Sequence, residues 1–192
     1  GDLFKALCVV LGHVNKDSIN KKVLSSLFNV GLKKKDQKQQ VSSHYDLGNE
    51  FYSLWLDKTM SYSCAYFKHE DDSLEEAQYQ KVHHILDKLY LKEGMTLLDI
   101  GCGWGFLLIE AARKYGVKGY GCTLSEEQWK KGQERIKKFG LEGQVEIELI
   151  DYRDVAASGR TFDRIVSVGM LEHVGRPNFP LYMEDASTML ND

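Results

Sequence analysis

The sequence is poor in the features that would sort it into a class at once. Only two of its 192 residues are proline, and its 43% hydrophobic and 28% charged residues form an ordinary globular balance. Disordered and collagen-like classes are therefore excluded. Cysteine is scarce: Cys8, Cys64, Cys102 and Cys122. No two share a C-x-x-C spacing, so neither a zinc knuckle nor a redox pair is indicated and no metal site is expected. Scattered free thiols fit a reducing, intracellular compartment. Charge of one sign is also lacking. A formal net charge of −3 gives no reason to expect nucleic acid, which asks for a concentrated basic face. No apolar run reaches the roughly 18 residues needed to span a bilayer. The most apolar N-terminal stretch, residues 3–14, contains Lys5 and His13 and lacks a basic leader and a small-residue cleavage site. A signal peptide is not expected there, and the protein is read as soluble or at most surface-bound.

What the sequence has is order along the chain. Residues 1–31 read as helix, with Ile19, Val23, Leu24, Leu27 and Phe28 on one face and Gly31 as a stop. Residues 33–40 are polar, and the run Lys33-Lys34-Lys35 reads either as a solvated connector or as a contact to anionic lipid, worth about 1 kcal/mol per cation at a membrane surface. Residues 41–69 carry Tyr45, Phe51, Tyr52, Trp55, Tyr62, Tyr66 and Phe67 without a clean period. That segment is a lid, a pocket wall or a cap over the core. A helix is expected over 73–91, opened by a Ser73/Glu76 capping box, with an apolar stripe through Leu74, Ala77, Val82, Ile85, Leu86 and Leu89. His83 and His84 are adjacent on it and point different ways, which suits surface positions better than a shared metal.

From residue 95 short apolar strands alternate with helices. Strands are expected at 96–100, 117–123, 145–150 and 164–168. Helices are expected at 106–115, stopped by Gly116, and from a boxed start at Ser125 and Gln128 to Phe139. A last helix has Pro177 in its first turn and ends near Leu190. The alternation predicts a parallel, doubly wound α/β sheet. A strand should follow that last helix, so the chain reads as truncated after its fourth strand and helix.

The chemistry-bearing motif is Leu98-Asp99-Ile100-Gly101-Cys102-Gly103-Trp104-Gly105. Glycines after a strand let the backbone approach a ligand, and the helix that follows offers free N–H groups at its start. A dinucleotide fingerprint would be G-x-G-x-x-G. Here the third glycine comes one residue early, which favours a methyltransferase loop. The second strand ends in Thr123-Leu124-Ser125-Glu126-Glu127-Gln128. Thr123 and Gln128 can hydrogen-bond ribose hydroxyls, while Ser125 and Gln128 can instead cap the helix. The third strand ends in Asp151-Tyr152-Arg153, with Tyr152 placed to stack on adenine. The fourth ends in Gly169-Met170-Leu171-Glu172-His173-Val174-Gly175, putting Glu172 and His173 at the ligand-binding edge of such a sheet.

These stretches, together with His44-Tyr45-Asp46-Leu47-Gly48-Asn49-Glu50-Phe51-Tyr52 and Tyr62-Ser63-Cys64-Ala65-Tyr66-Phe67, resemble the cyclopropane-fatty-acyl-phospholipid synthases and mycolic acid cyclopropane synthases. The likeness runs from about residue 41 to 192. It implies a partial Rossmann-like S-adenosyl-L-methionine (SAM)-dependent methyltransferase domain over 41–192, after a helical remnant of an N-terminal domain and linker at 1–40. It also implies a SAM pocket: Tyr62 and Ser63 closing over the cofactor, Asp99, Gly101, Gly103 and Gly105 in its loop, Thr123, Leu124 and Gln128 at the ribose, and Tyr152 and Arg153 at the adenine. The mycolic branch carries a bulkier aromatic and an acid in place of that last pair. By the same resemblance Cys64 and Glu172 are the catalytic candidates and help to bind a bicarbonate ion beside the transferred methyl.

The implied reaction makes physical sense. An alkene is a poor nucleophile, so the donor must be a sulfonium, and methyl transfer leaves a carbocation on the acyl chain. A base, here bicarbonate, then removes a proton from the new methyl as the ring closes, in a pocket kept dry and aromatic-lined. The expected substrate is a phospholipid acyl chain at the inner face of the cytoplasmic membrane, with the protein cytoplasmic and peripheral. A small-molecule N- or O-methyltransferase and a non-catalytic SAM-binding module are the competing readings. Strand order 3-2-1-4-5 by analogy leaves strand four at an uncovered edge. The chain is therefore expected to be dimeric, swapped or aggregation-prone through that edge, and inactive on its own.

Overall fold

Alternation between the two faces of a buried strand sets up the architecture. In the computed structural model, which describes residues 48–191, strand β1 (Thr96–Ile100) sends Leu97 into one apolar cluster and Leu98 and Ile100 into another. One cluster lies under helices α2 (Leu74–Lys88), α3 (Phe106–Tyr115) and α4 (Glu126–Lys138). The other lies under α5 (Tyr152–Ala157) and α7 (Phe179–Thr188). A sheet buried on both faces needs apolar side chains on both, and β1 has no exposed residue.

The sheet has four strands, all parallel, in the order β3-β2-β1-β4, with β2 at Lys118–Thr123, β3 at Val145–Leu149 and β4 at Arg164–Val166. Leu97 and Leu98 face Gly119 and Tyr120 of β2 on one side, and Arg164 and Ile165 of β4 on the other. The short helix α1 (Asn49–Ser53) precedes α2, and α6 (Leu171–Val174) and a 3-10 turn (Arg176–Asn178) precede α7. The class and strand order match the expectation. The helix expected over 1–31, the connector at 33–40, Tyr45 and Cys8 lie outside the described residues.

Several boundaries differ. The capping box of α2 forms as expected, with Ser73 accepting from the Glu76 N–H at 3.2 Å and the Glu76 carboxylate accepting from the Ser73 N–H at 2.9 Å. The helix stops at Lys88 rather than 91. At α4 only half the expected box exists. Ser125 accepts from the Gln128 N–H at 3.3 Å, but the Ser125 N–H donates to Thr123 Oγ1, not to Gln128. Pro177 lies in the 3-10 turn, and Pro180 is the proline in the first turn of α7. The helix α5 was not foreseen: Asp151 caps it by accepting from the Arg153 N–H at 3.0 Å. β4 ends two residues early, at Val166.

The edge beyond β4 is not wholly bare. Phe162 N–H donates to Met189 O at 2.8 Å, and Asn191 N–H donates to Phe162 O at 2.8 Å, a parallel bridge between Phe162 and Leu190. The Asp163 N–H faces Thr96 on β1, so the bridge lies on the opposite side of this strand. Residues 189–191 thus pair with the entry of the edge that the sequence suggested was unpaired.

Candidate active site

A cavity opens where the strands end. It is lined by Asp99 near the end of β1 and Gly101 and Gly103 beyond it, Thr123 at the end of β2 and Leu124 and Gln128 beyond it, Ile150 and Tyr152 after β3, and Gly169, Met170 and His173 after β4. Carboxyl ends of parallel strands converge there with the starts of the following helices, which is where ligands settle in this architecture.

Nine of the thirteen residues that the resemblance assigns to the site line it, namely Tyr62, Ser63, Asp99, Gly101, Gly103, Thr123, Leu124, Gln128 and Tyr152, as does His173. Gly103 has φ of +55°, and a Cβ built on it would meet nothing within 4 Å, so its bare face is turned to open space. Gly105 is different. Its φ is +78°, and a Cβ there would come within 2.5 Å of Ile147 Cδ1. It starts α3 and lets that helix approach β3, and it does not line the cavity. Arg153 also lies outside it. Its guanidinium forks onto Asp151, with Nε 2.8 Å from Oδ1 and an Nη 2.6 Å from Oδ2, and lies 5.4 Å from the centre of the Tyr152 ring.

Asp99 is the acidic group of the cavity wall. It is 3% exposed, and burial pushes its carboxyl up to about 7. No hydrogen-bond donor among the described residues reaches it. At the neighbouring strand end Thr123 donates to Gln128 Oε1 at 2.8 Å and accepts from the Ser125 N–H at 3.2 Å. Gln128 is buried, and its carbonyl oxygen is thus already engaged by a partner five residues away. The Tyr152 ring packs edge-on to Tyr182 at 5.1 Å, and burial raises its hydroxyl to about 12, so it is a neutral aromatic wall.

The fourth wall comes from the aromatic segment. Tyr52 is buried and its ring lies 5.4 Å from Trp104 and 5.5 Å from Tyr62. Trp104 Nε1 donates to Asn49 Oδ1 at 2.6 Å, and Asn49 donates on to Glu127, tying α1 to the glycine loop and to α4. Of the three roles considered for this segment, Tyr62 is pocket wall and Tyr52 is cap, while Phe51, Trp55, Tyr66 and Phe67 are exposed.

Residues 57–63 are fixed by partners the sequence did not reveal. Asp57 accepts from the Thr59 N–H and hydroxyl, both at 2.9 Å. Arg135 donates to Thr59 O at 2.8 Å. Gln78 donates to the carbonyls of Ser61 and Ser63 at 3.1 and 3.0 Å, and Lys81 Nζ donates to Ser63 Oγ at 2.7 Å. Met60, which lines the cavity, is held at φ +57°, an uncommon conformation for a side-chain-bearing residue and of the kind that collects at functional sites. A signal for Lys81 was present: it sits one turn from both Ala77 and Ile85, a cation on the apolar face of α2.

Cys64 and Glu172 are both exposed and neither lines the cavity. Glu172 nevertheless comes near Ser63, the chain neighbour of Cys64. A Cβ on Gly169 would lie 3.7 Å from Glu172 Oε1 and 3.8 Å from Ser63 Cβ, next to Cys64 in the chain. His83 faces Glu110 at 3.4 Å and His84 stacks on Tyr66 at 5.1 Å, so the two histidines do point apart.

The sequence model of the mycolic acid cyclopropane synthetase family matches residues 32–192. The chain belongs to this family. It is 50% identical over 151 residues to a probable fatty acid methyltransferase of Pseudomonas putida, covering 79% of this chain and 38% of the relative. It is 53% identical over 139 residues to the cyclopropane-fatty-acyl-phospholipid synthase of Escherichia coli K12, covering 72% of this chain and 34% of the relative. The crystal structure of the mycolic acid cyclopropane synthase CmaA1 complexed with SAH and CTAB superposes with a TM-score of 0.76 at 38% identity, covering 80% of this chain and 53% of that one. The chain thus spans about a third to a half of the length of these relatives.

Proposed function

We propose that this chain is the SAM-binding part of an enzyme that adds a methylene group to the cis double bond of a phospholipid acyl chain, closing a cyclopropane ring. The observation that carries the reading is the cavity at the strand ends, with the open face of Gly103, the buried Asp99 carboxyl and the Thr123–Gln128 pair all on its wall. These residues fit a ligand that is part nucleoside and part amino acid. Asp99 would take the α-ammonium, Gly101 and Gly103 would leave room for the chain, Thr123 and Gln128 would hold the ribose, and Tyr152 would wall the adenine. SAM supplies the electrophilic methyl group.

The protein's own work is to orient and to exclude water. Tyr62 and Ser63 cover the cavity from residues anchored to α2, and the Tyr52–Trp104–Tyr62 cluster closes its rim with apolar surface. A carbocation on the acyl chain survives only where water is kept out, and aromatic faces stabilise it. Glu172 and the Ser63–Cys64 stretch, converging on Gly169 at the mouth, would hold bicarbonate where it can take a proton from the new methyl. No helix among the described residues is long and apolar enough to cross a membrane. We place the enzyme in the cytoplasm, drawing its substrate from the inner face of the cytoplasmic membrane. The chain taken alone should bind SAM and not turn over, and the part of the β4 edge beyond Phe162 should favour self-association.

The reading is tested with the full-length protein. Incubation with SAM and monoenoic phospholipid should add 14 mass units to the acyl chain by mass spectrometry, with the double bond lost. Glu172→Gln should cut this product far more than it weakens SAM binding. Transfer of the methyl to an amine or hydroxyl, with lipid untouched, would replace the proposal by a small-molecule methyltransferase.

A further inference from the structure

Four consecutive residues of the cavity wall, Met60, Ser61, Tyr62 and Ser63, belong to neither helix nor strand. They lie in the connection between α1 and α2. A connection with no ladder of its own must have its buried main-chain groups satisfied by side chains. Gln78 on α2 does this for the carbonyls of Ser61 and Ser63. Arg135 on α4 does it for Thr59, a buried residue, at 2.8 Å. No carboxylate of the described residues lies within ion-pair distance of that guanidinium. It lies instead 5.5 Å from the centre of the Phe106 ring, and Phe106 both opens α3 and lines the cavity. The planar fork gives the carbonyl one direction, and the ring face holds the fork in place.

The bond that Arg135 makes acts on a single peptide unit. The Thr59 carbonyl and the Met60 N–H belong to one plane, which resists twisting. Arg135 engages the carbonyl, and the Met60 N–H donates to Asp57 O at 3.0 Å. Held at both edges, the plane fixes φ of Met60, which stands at +57°. A side-chain-bearing residue keeps that conformation only where its surroundings impose it. From there the chain carries Met60 and Tyr62 onto the cavity wall. Released from Arg135, Met60 would relax to an ordinary φ and swing both residues away from the cavity.

We propose that Arg135 is a positioning residue that decides the product: by fixing the Thr59–Met60 peptide it holds Met60 and Tyr62 as a seal that keeps water from the carbocation. The assignment rests on the function proposed above. Behind an intact seal, the base takes a proton from the new methyl and the ring closes. Behind a loosened one, water forms a C–O bond to the cation, and the base takes the proton from that oxygen instead. The product then carries a methyl and a hydroxyl across the former double bond, and it is heavier than the ring compound by one water. Arg135 touches neither cofactor nor substrate in this role.

The test gives the full-length protein SAM and vesicles of monoenoic phospholipid, and reads ring and alcohol products by mass spectrometry. Calorimetric titration with S-adenosylhomocysteine runs beside it. The unaltered enzyme should make the ring almost alone. Arg135→Met keeps a chain of similar length against Phe106 and removes the donor. It should raise the alcohol-to-ring ratio about tenfold, the effect of one lost charge-assisted hydrogen bond, with S-adenosylhomocysteine bound within about threefold of the parent. Arg135→Lys keeps a donor and should restore part of the ring selectivity. Should Arg135→Met fail to fold by circular dichroism, Met60→Gly carries the test. Glycine takes either sign of φ, so the seal loosens while the Thr59 carbonyl keeps its partner, and the ratio should rise several-fold. A folded variant with an unchanged ratio would reduce Arg135 to a structural anchor and overturn the proposal. Loss of ring and of S-adenosylhomocysteine affinity in parallel, with no alcohol, would assign it to the cofactor and overturn it too. If the unaltered enzyme left monoenoic lipid untouched, the proposed function itself would fall, and this assignment with it.

Discussion

The two ends of the cavity are built in different ways. At the β2 end, Thr123, Ser125 and Gln128 form a closed set of hydrogen bonds within six residues of chain, and each buried polar group named there has a partner before any ligand arrives. At the β1/β4 end, the polar side chains come from residues 63, 81 and 99, and two of them, Asp99 and Lys81, are buried ionisable groups without an ion-pair partner in contact. One end is stable by itself and pre-shaped; the other holds electrostatic strain that a charged ligand would relieve. Stability and binding should therefore respond in opposite senses at the two ends.

The largest effect is expected at Asp99. Its carboxyl stands at about 7 in the folded state against an ordinary 3.8. Below about pH 4 it is neutral in both states. As pH rises toward 7, the unfolded chain loses its proton first and the folded protein keeps it, so stability falls through that window and levels off above it. A displacement from 3.8 to about 7 corresponds to roughly 4 kcal/mol at full development. Asp99→Asn should abolish this fall. Urea denaturation should then find the variant more stable than the parent at pH 8 and similar at pH 4, while its affinity for S-adenosylhomocysteine drops. A parent protein equally stable at pH 4.5 and pH 8 in this respect would remove the strained end from the comparison.

Next come the two glycines of the loop, which should part ways. Gly103→Val places a β-branched side chain into open cavity at a left-handed φ, and S-adenosylhomocysteine affinity should fall by about a hundredfold or more in a chain that still folds. Gly105→Ala meets Ile147 instead, and should cost about 2 kcal/mol of stability with little change in affinity. Calorimetric titration and urea melts on both variants separate the roles. Equal behaviour of the two would deny that one faces ligand and the other packing.

Thr123→Val should cost about 1–2 kcal/mol, because the buried Gln128 carbonyl loses its donor and the Ser125 N–H its acceptor. Affinity should fall less than tenfold, since the backbone there is unmoved. The smallest change in affinity is expected for Arg153→Met. Its guanidinium is engaged with Asp151 outside the cavity, so S-adenosylhomocysteine should bind within about twofold of the parent. A tenfold loss would return Arg153 to the adenine site that the family resemblance suggested.

The sequence by itself determined the parts whose causes are local. Strand-to-helix alternation after residue 95 gave the parallel sheet, because buried strands must be apolar on both faces. Ser73 with Glu76, and Gly105 and Gly116 around α3, marked helix ends because caps act within a turn. Asp99, Gly103, Thr123, Gln128 and Tyr152 were legible because strand ends in this architecture line a cavity whatever else surrounds it. Only the tertiary structure decided the remainder. Arg153 turns to Asp151 and Gly105 to Ile147 because a neighbour in space, not a spacing, claims each of them. Lys81, Arg135 and Gln78 reach residues 59–63 from helices 15 to 76 positions away. A pattern of residue types shows which face of a helix is buried; it does not show what lies against that face, and a buried charge takes its meaning from what it meets there.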